Sequence, residues 1–186
     1  MPMMRRALAA SLLSLPLAAR GVQAAGLPDG GIARLREGAR PAAAVTFTDA
    51  EGREHDFTRF NGRGLVVNLW ATWCPPCVAE MPALDRLAAL LAPEGVEVLA
   101  LSSDRGGRAV VEAFYQRVGI RRLGVWLDPR GAAARGMGVR ALPTTVIVDR
   151  QGMERARLEG EAEWDHPAMV AAVRRLVAGP ETPGRA

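Results

Sequence analysis

Two cysteines, Cys74 and Cys77, are the only ones in the 186-residue chain, and they stand in the run W-A-T-W-C-P-P-C-V-A-E-M-P at residues 70–82. With two residues between them, both sulfurs fit into the first turn of one helix, where a disulfide can open and close without unfolding the chain. A bridge closing so short a loop constrains the unfolded chain little, so its value is chemical. Cys74 falls where a strand ends and a helix begins. Unpaired N–H groups and the positive end of the helix dipole there favour thiolate over thiol and make Cys74 the attacking sulfur. Cys77 then resolves the mixed disulfide. Between them, Pro75 and Pro76 offer neither a backbone donor nor a cationic side chain, so the thiolate gains limited stabilisation and the couple is biased toward the reducing end. A zinc site would need about four ligands. The two histidines, His55 and His166, fall in separate elements and no metal site is assigned.

Elements must hold this turn in place. An apolar strand at 65–69 leads into it, and a helix at 75–91 leaves it with Leu84, Leu87, Leu90 and Leu91 as its apolar positions and Pro82 inside. A strand at 96–101 completes a parallel β-α-β unit. Upstream, 45–48 and 54–57 read as a hairpin around Asp49-Ala50-Glu51-Gly52. Downstream come a helix at 108–118 with Val110, Val111 and Phe114 as its core face, a short strand at 125–127 and a helical turn at 132–136. Strands at 144–148 and 155–159 follow, then a helix at 166–177 with Asp165 as N-cap. The pattern is α/β, a mixed sheet covered by helices on both faces with an N-terminal β-hairpin extension.

Composition is that of a globular protein, 49% hydrophobic and 24% charged. Arg5 and Arg6, the apolar stretch 7–19 and Val22-Gln23-Ala24 read as a signal for export to the periplasm at residues 1–24; left uncleaved, it would form an N-terminal membrane tether. The formal charge is +4, and without Arg5, Arg6 and Arg20 the rest carries 21 basic against 20 acidic groups. That balance gives no basis for nucleic-acid binding. The expected organisation is a linker at 25–40, one domain at 41–180 and a tail at 181–186. Arg121-Arg122 and Arg174-Arg175 read as solvated faces.

The W-A-T-W-C-P-P-C motif with Glu80-Met81-Pro82, together with V-R-A-L-P-T-T-V-I-V-D-R-Q-G at 139–152, resembles the TlpA/ResA-like, CcmG-related branch of the thioredoxin superfamily. The resemblance implies a thioredoxin-like fold and an exported thiol-disulfide oxidoreductase that reduces disulfides of specific proteins, in cytochrome c maturation or in copper-site and oxidase assembly. It implies an exposed Cys74, and Glu80 as proton acceptor for Cys77, with a pKa raised by partial burial. Asn68 stands where conventional thioredoxins carry a buried Asp. Leu142-Pro143-Thr144 matches the segment that faces the dithiol across a cis X-Pro bond, so Pro143 joins the catalytic set. Trp73, Pro75, Pro76, Leu142 and Thr144 become the substrate-binding surface, while Trp70 packs and Trp126 and Trp164 are core or covering residues.

No flavin or nicotinamide fingerprint is present, so no cofactor is expected beyond the Cys74–Cys77 disulfide, and electrons must come from a membrane thiol-reductant donor. A peroxiredoxin-like peroxidase would carry Thr where Ala71 stands. A non-enzymatic copper-binding assembly factor would need further soft or imidazole ligands near the dithiol.

Overall fold

The computed structural model describes residues 29–180, and the expected signal and tail lie outside the described residues. The strands are β1 (Arg36–Pro41), β2 (Phe47–Asp49), β3 (Glu54–His55), β4 (Gly64–Trp70), β5 (Val96–Ser102), β6 (Trp126–Leu127), β7 (Thr144–Val148) and β8 (Met153–Glu159). The helices are α1 (Pro75–Leu91), α2 (Gly107–Val118), α3 (Ala132–Gly136) and α4 (Pro167–Ala178). They form one mixed sheet in the order β1-β8-β7-β4-β5-β6-β2-β3. β4 runs parallel to β5 and antiparallel to β7, as the β-α-β unit and the closing hairpin require.

β4 is buried along its whole length and shows why the sheet needs cover on both faces. Successive side chains point to opposite sides. Val66 and Trp70 join a core with Met81, Leu84, Leu87 and Leu91 of α1 and Val170, Val173 and Val177 of α4. Leu65, Val67 and Leu69 join a second core with Phe47, Phe60, Val146, Ala133 and Met137. Each fully buried α1 side chain contributes roughly 1.5–3 kcal/mol, which fixes the helix carrying the dithiol against the sheet. Gly64 is demanded by this packing, since a Cβ there would lie 2.5 Å from Val177 Cβ.

Several local expectations are corrected. Residues 36–40 of the expected linker, together with Pro41, form β1 and pair antiparallel with β8. Ahead of it, Ile32–Arg34 form a 3-10 turn. The sequence at 36–41 lacks an apolar face because the strand is exposed throughout and is held by its ladder. Leu90, one of the apolar positions of α1, and Val110, assigned to the core face of α2, are solvent-exposed; on α2 the buried side chains are Val111, Phe114 and Tyr115. The N-cap of α4 is His166, whose Nδ1 accepts from Ala168 N, while Asp165 pairs with Arg86. In the hairpin, His55 Nε2 lies 2.8 Å from Asp49 Oδ2, and Arg53 Nε donates to the same oxygen at 2.7 Å. Trp126 meets Phe47 and Phe60 edge-on, attaching the hairpin to the sheet.

Candidate active site

Cys74 is the N-cap of α1, with Pro75 and Pro76 in the first two helical positions. Neither proline has an N–H, so the first backbone donor to reach Cys74 Sγ is Cys77 N, at 3.4 Å. Cys74 and Cys77 form a disulfide with Cα atoms 5.3 Å apart. Cys74 was expected to be exposed; it is only 6% exposed and Cys77 is 0% exposed. Both belong to the core cluster beneath α1, and of the two only Cys74 keeps any exposed surface. Beside it Trp73 projects into solvent, 67% exposed, whereas Trp70 is buried and stacks on Tyr115 with ring centroids 5.9 Å apart.

One turn further along α1, Glu80 is buried. Its Oε1 accepts from Asn68 Nδ2 at 2.8 Å, and its Oε2 accepts from Ala162 N at 3.0 Å and Trp164 Nε1 at 2.8 Å. Burial pushes the carboxyl up to about 7 and the Glu161 charge adds to that push, against the downward pull of the hydrogen bonds from Trp164, Asn68 and Ala162. The group is therefore poised to exchange a proton near neutrality. Asn68 comes from β4, and its Nδ2 also donates to Thr145 Oγ1 on β7 at 2.9 Å.

The Leu142–Pro143 peptide bond is cis. Thr144 pairs with Leu69 in the β7–β4 register, which places Pro143 beyond it at the end of β4 that leads into the dithiol. Pro143 O accepts from Gly160 N at 2.9 Å, and Thr144 Oγ1 donates to Ala141 O at 2.8 Å. Leu142 is partly buried against both cores. The structure thus brings Cys74, Cys77, Pro75, Pro76, Trp73, Leu142, Pro143 and Thr144 to one end of the sheet, with Glu80 behind them.

Three supports were not recognised from the sequence. Asp104 is buried, and its carboxylate accepts from Thr72 N at 2.9 Å, Thr72 Oγ1 at 2.7 Å and Ser102 Oγ at 2.8 Å, anchoring the turn that delivers Trp73 and Cys74. The available signal was its place just past the C-terminal end of β5, beside the C-terminal end of parallel β4, where open α/β sheets gather functional groups. Trp164 and Ala162 lie in a loop without periodicity, so nothing in the sequence announced their contact with Glu80.

Residues 37–173 match the Redoxin family. The chain belongs to that family. It is 35% identical to thiol-disulfide oxidoreductase ResA of Geobacillus thermodenitrificans over 119 residues, 64% of this chain and 67% of that protein. It is 33% identical to ResA of Bacillus thuringiensis subsp. konkukian over 122 residues, 66% of this chain and 69% of that one. The fold is shared with a putative thiol:disulfide interchange protein DsbE from Chlorobium tepidum, at TM-score 0.62, 22% identity, and coverage of 76% of this chain and 96% of that one. It is shared also with a secreted thiol-disulfide isomerase from Corynebacterium glutamicum, at TM-score 0.64, 21% identity, and coverage of 79% and 94%. The chain is a TlpA/ResA-like thioredoxin-family thiol-disulfide oxidoreductase.

Proposed function

We propose that this Redoxin-family protein is an exported reductant in which Cys74 attacks, Cys77 resolves and Glu80 handles the proton. The observation that carries this reading is the pairing of a proline-started dithiol helix with a buried carboxyl one turn behind it whose pKa is about 7. In the reduced protein the Cys74 thiolate attacks one sulfur of a substrate disulfide. A Cys74–substrate bond forms, and the other substrate sulfur leaves as a thiolate that takes up a proton. Cys77 then gives its proton to Glu80 and attacks Cys74 Sγ, which forms the Cys74–Cys77 disulfide and releases the second substrate sulfur to be protonated. The substrate gains two electrons from the dithiol and two protons, one passed on from Cys77 by Glu80, which returns to its ionised form, and one taken from solvent.

The electrons reside in the dithiol itself, so no cofactor enters the cycle. A membrane thiol-reductant donor returns the Cys74–Cys77 disulfide to the dithiol. The substrates are disulfide-bearing proteins of cytochrome c maturation or of copper-site and oxidase assembly, met in the periplasm by a chain that is exported or tethered through residues 1–24. Nucleic acid has no place in this cycle. Trp73, Pro75, Pro76, Leu142 and Thr144 form the contact surface around the accessible sulfur, with Pro143 facing the dithiol. In a Cys77→Ser variant the mixed disulfide cannot resolve, so a disulfide-bearing protein substrate should accumulate covalently on Cys74. Trapping on Cys77 in a Cys74→Ser variant instead would overturn the assignment of the two sulfurs.

A further inference from the structure

Glu80 receives two of its three hydrogen bonds from the loop 160–166, through Ala162 N and Trp164 Nε1. That loop is held in turn by a segment preceding the stretch that matches the Redoxin family. Gly30 O accepts from Glu163 N at 3.1 Å, and the Arg34 guanidinium donates to Glu161 O. The Gly30 α-carbon presses so closely on His166 that a Cβ would lie 2.6 Å from His166 Cβ, and φ there is 66°. Asp29 fixes the segment itself, accepting from Gly31 N at 2.9 Å and Ala33 N at 3.1 Å. Ile32 and Leu35 pack against the core cluster that contains Trp164.

We propose that residues 29–35 are a clasp that positions Glu80, gripping the loop 160–166 at Gly30 and Arg34 so that Ala162 N and Trp164 Nε1 stay on the carboxyl and water stays off it. This deepens the proposed function and rests on the proton-handling role of Glu80 given there. The clasp is a positioning element and touches neither sulfur. The groups bonded around Glu80 are neutral Asn68 of β4, with Thr145 of β7 behind it, and Ala162 and Trp164 of the loop; Glu161 is the acidic neighbour whose charge acts on it. Burial is the largest cause raising Glu80, so lifting the loop and admitting water lets the carboxyl fall back toward its ordinary range.

The test uses the full chain with Gly30→Ala, which drives a Cβ into His166, and separately Arg34→Ala, which releases Glu161 O without straining the backbone. Two readouts are needed: hydrogen–deuterium exchange of the Ala162 amide in the oxidised protein, and the pH dependence of disulfide reduction. Ala162 exchange should accelerate about tenfold or more while the unfolding transition stays cooperative. The pH limb expected near 7 should move down by about one unit. If Gly30→Ala does not fold, Arg34→Ala alone decides. Glu80→Gln in the same assay separates the two levels. If it abolishes the limb while both clasp variants keep wild-type exchange and a wild-type limb, the clasp is wrong and the role of Glu80 stands. A limb that survives Glu80→Gln overturns that role and the clasp with it.

Discussion

Asn68 Nδ2 donates to Glu80 Oε1 over 2.8 Å, while Asn68 Oδ1, in the buried interior, has no hydrogen-bond partner. This orientation suits an ionised Glu80. When the carboxyl takes a proton, Oε2 already accepts from Ala162 and Trp164, so the proton goes to Oε1 and confronts a donor. Turning the amide over brings Oδ1 to Glu80 and to Thr145 Oγ1, both of which can then donate. The Asn68 side-chain amide resonances should therefore titrate with a midpoint of about 7, the Glu80 value, and lose that titration in Glu80→Gln. Invariant Asn68 resonances across neutrality would contradict the coupling.

The raised pKa of Glu80 also sets a sign for stability. A folded-state value of about 7 against an ordinary 4.5 means that the folded protein holds a proton the unfolded chain has released. The contribution is fully present below pH about 4.5 and is lost as pH rises through about 7, a change on the order of 3 kcal/mol. Denaturant unfolding of the oxidised protein should show wild type losing stability relative to Glu80→Gln across that window. A constant difference between the two would place Glu80 near its ordinary pKa.

Trp164→Phe removes one donor from Glu80 Oε2 and keeps most of the apolar bulk. Since that bond pulls the carboxyl down against burial, its loss should raise Glu80 by about one unit, read from the carboxyl carbon resonance as pH is varied. A downward shift would mean that the substitution admits water.

Asp104→Ala leaves Thr72 N, Thr72 Oγ1 and Ser102 Oγ without their shared acceptor. The expected cost is about 2–4 kcal/mol of stability, because partly buried donors lose a charged partner. Disulfide reduction should slow more than in an equally destabilised core variant such as Leu84→Ala, since the turn carrying Cys74 is what loosens. Equal rates in the two variants would reduce Asp104 to a purely structural role.

The sequence carried the centre of the fold well, because burial on both faces leaves a dense apolar signal. Apolar periodicity located β4, α1 and β5 within a residue or so, and C-P-P-C with L-P-T fixed which ends meet. It failed where packing is one-sided or long-range. β1 has no apolar face to read, since its ladder to β8 is made by backbone groups. Val110 and Leu90 carry apolar side chains on exposed helix faces, which periodicity cannot separate from buried ones. Glu80 was legible as a proton-handling residue only through the resemblance; its burial depends on Trp164, 84 residues away. No local pattern encodes such a contact.

The most direct measurement of the central claim, that this is a reductant, is the equilibrium of the Cys74–Cys77 couple with glutathione buffers of known poise. Pro75 and Pro76 offer Cys74 Sγ no backbone donor and leave it Cys77 N, so the reduced form gains little stabilisation. The potential should fall toward the thioredoxin end of the scale, about −270 mV. A value near that of a strong periplasmic oxidant, about −120 mV, would contradict the assignment.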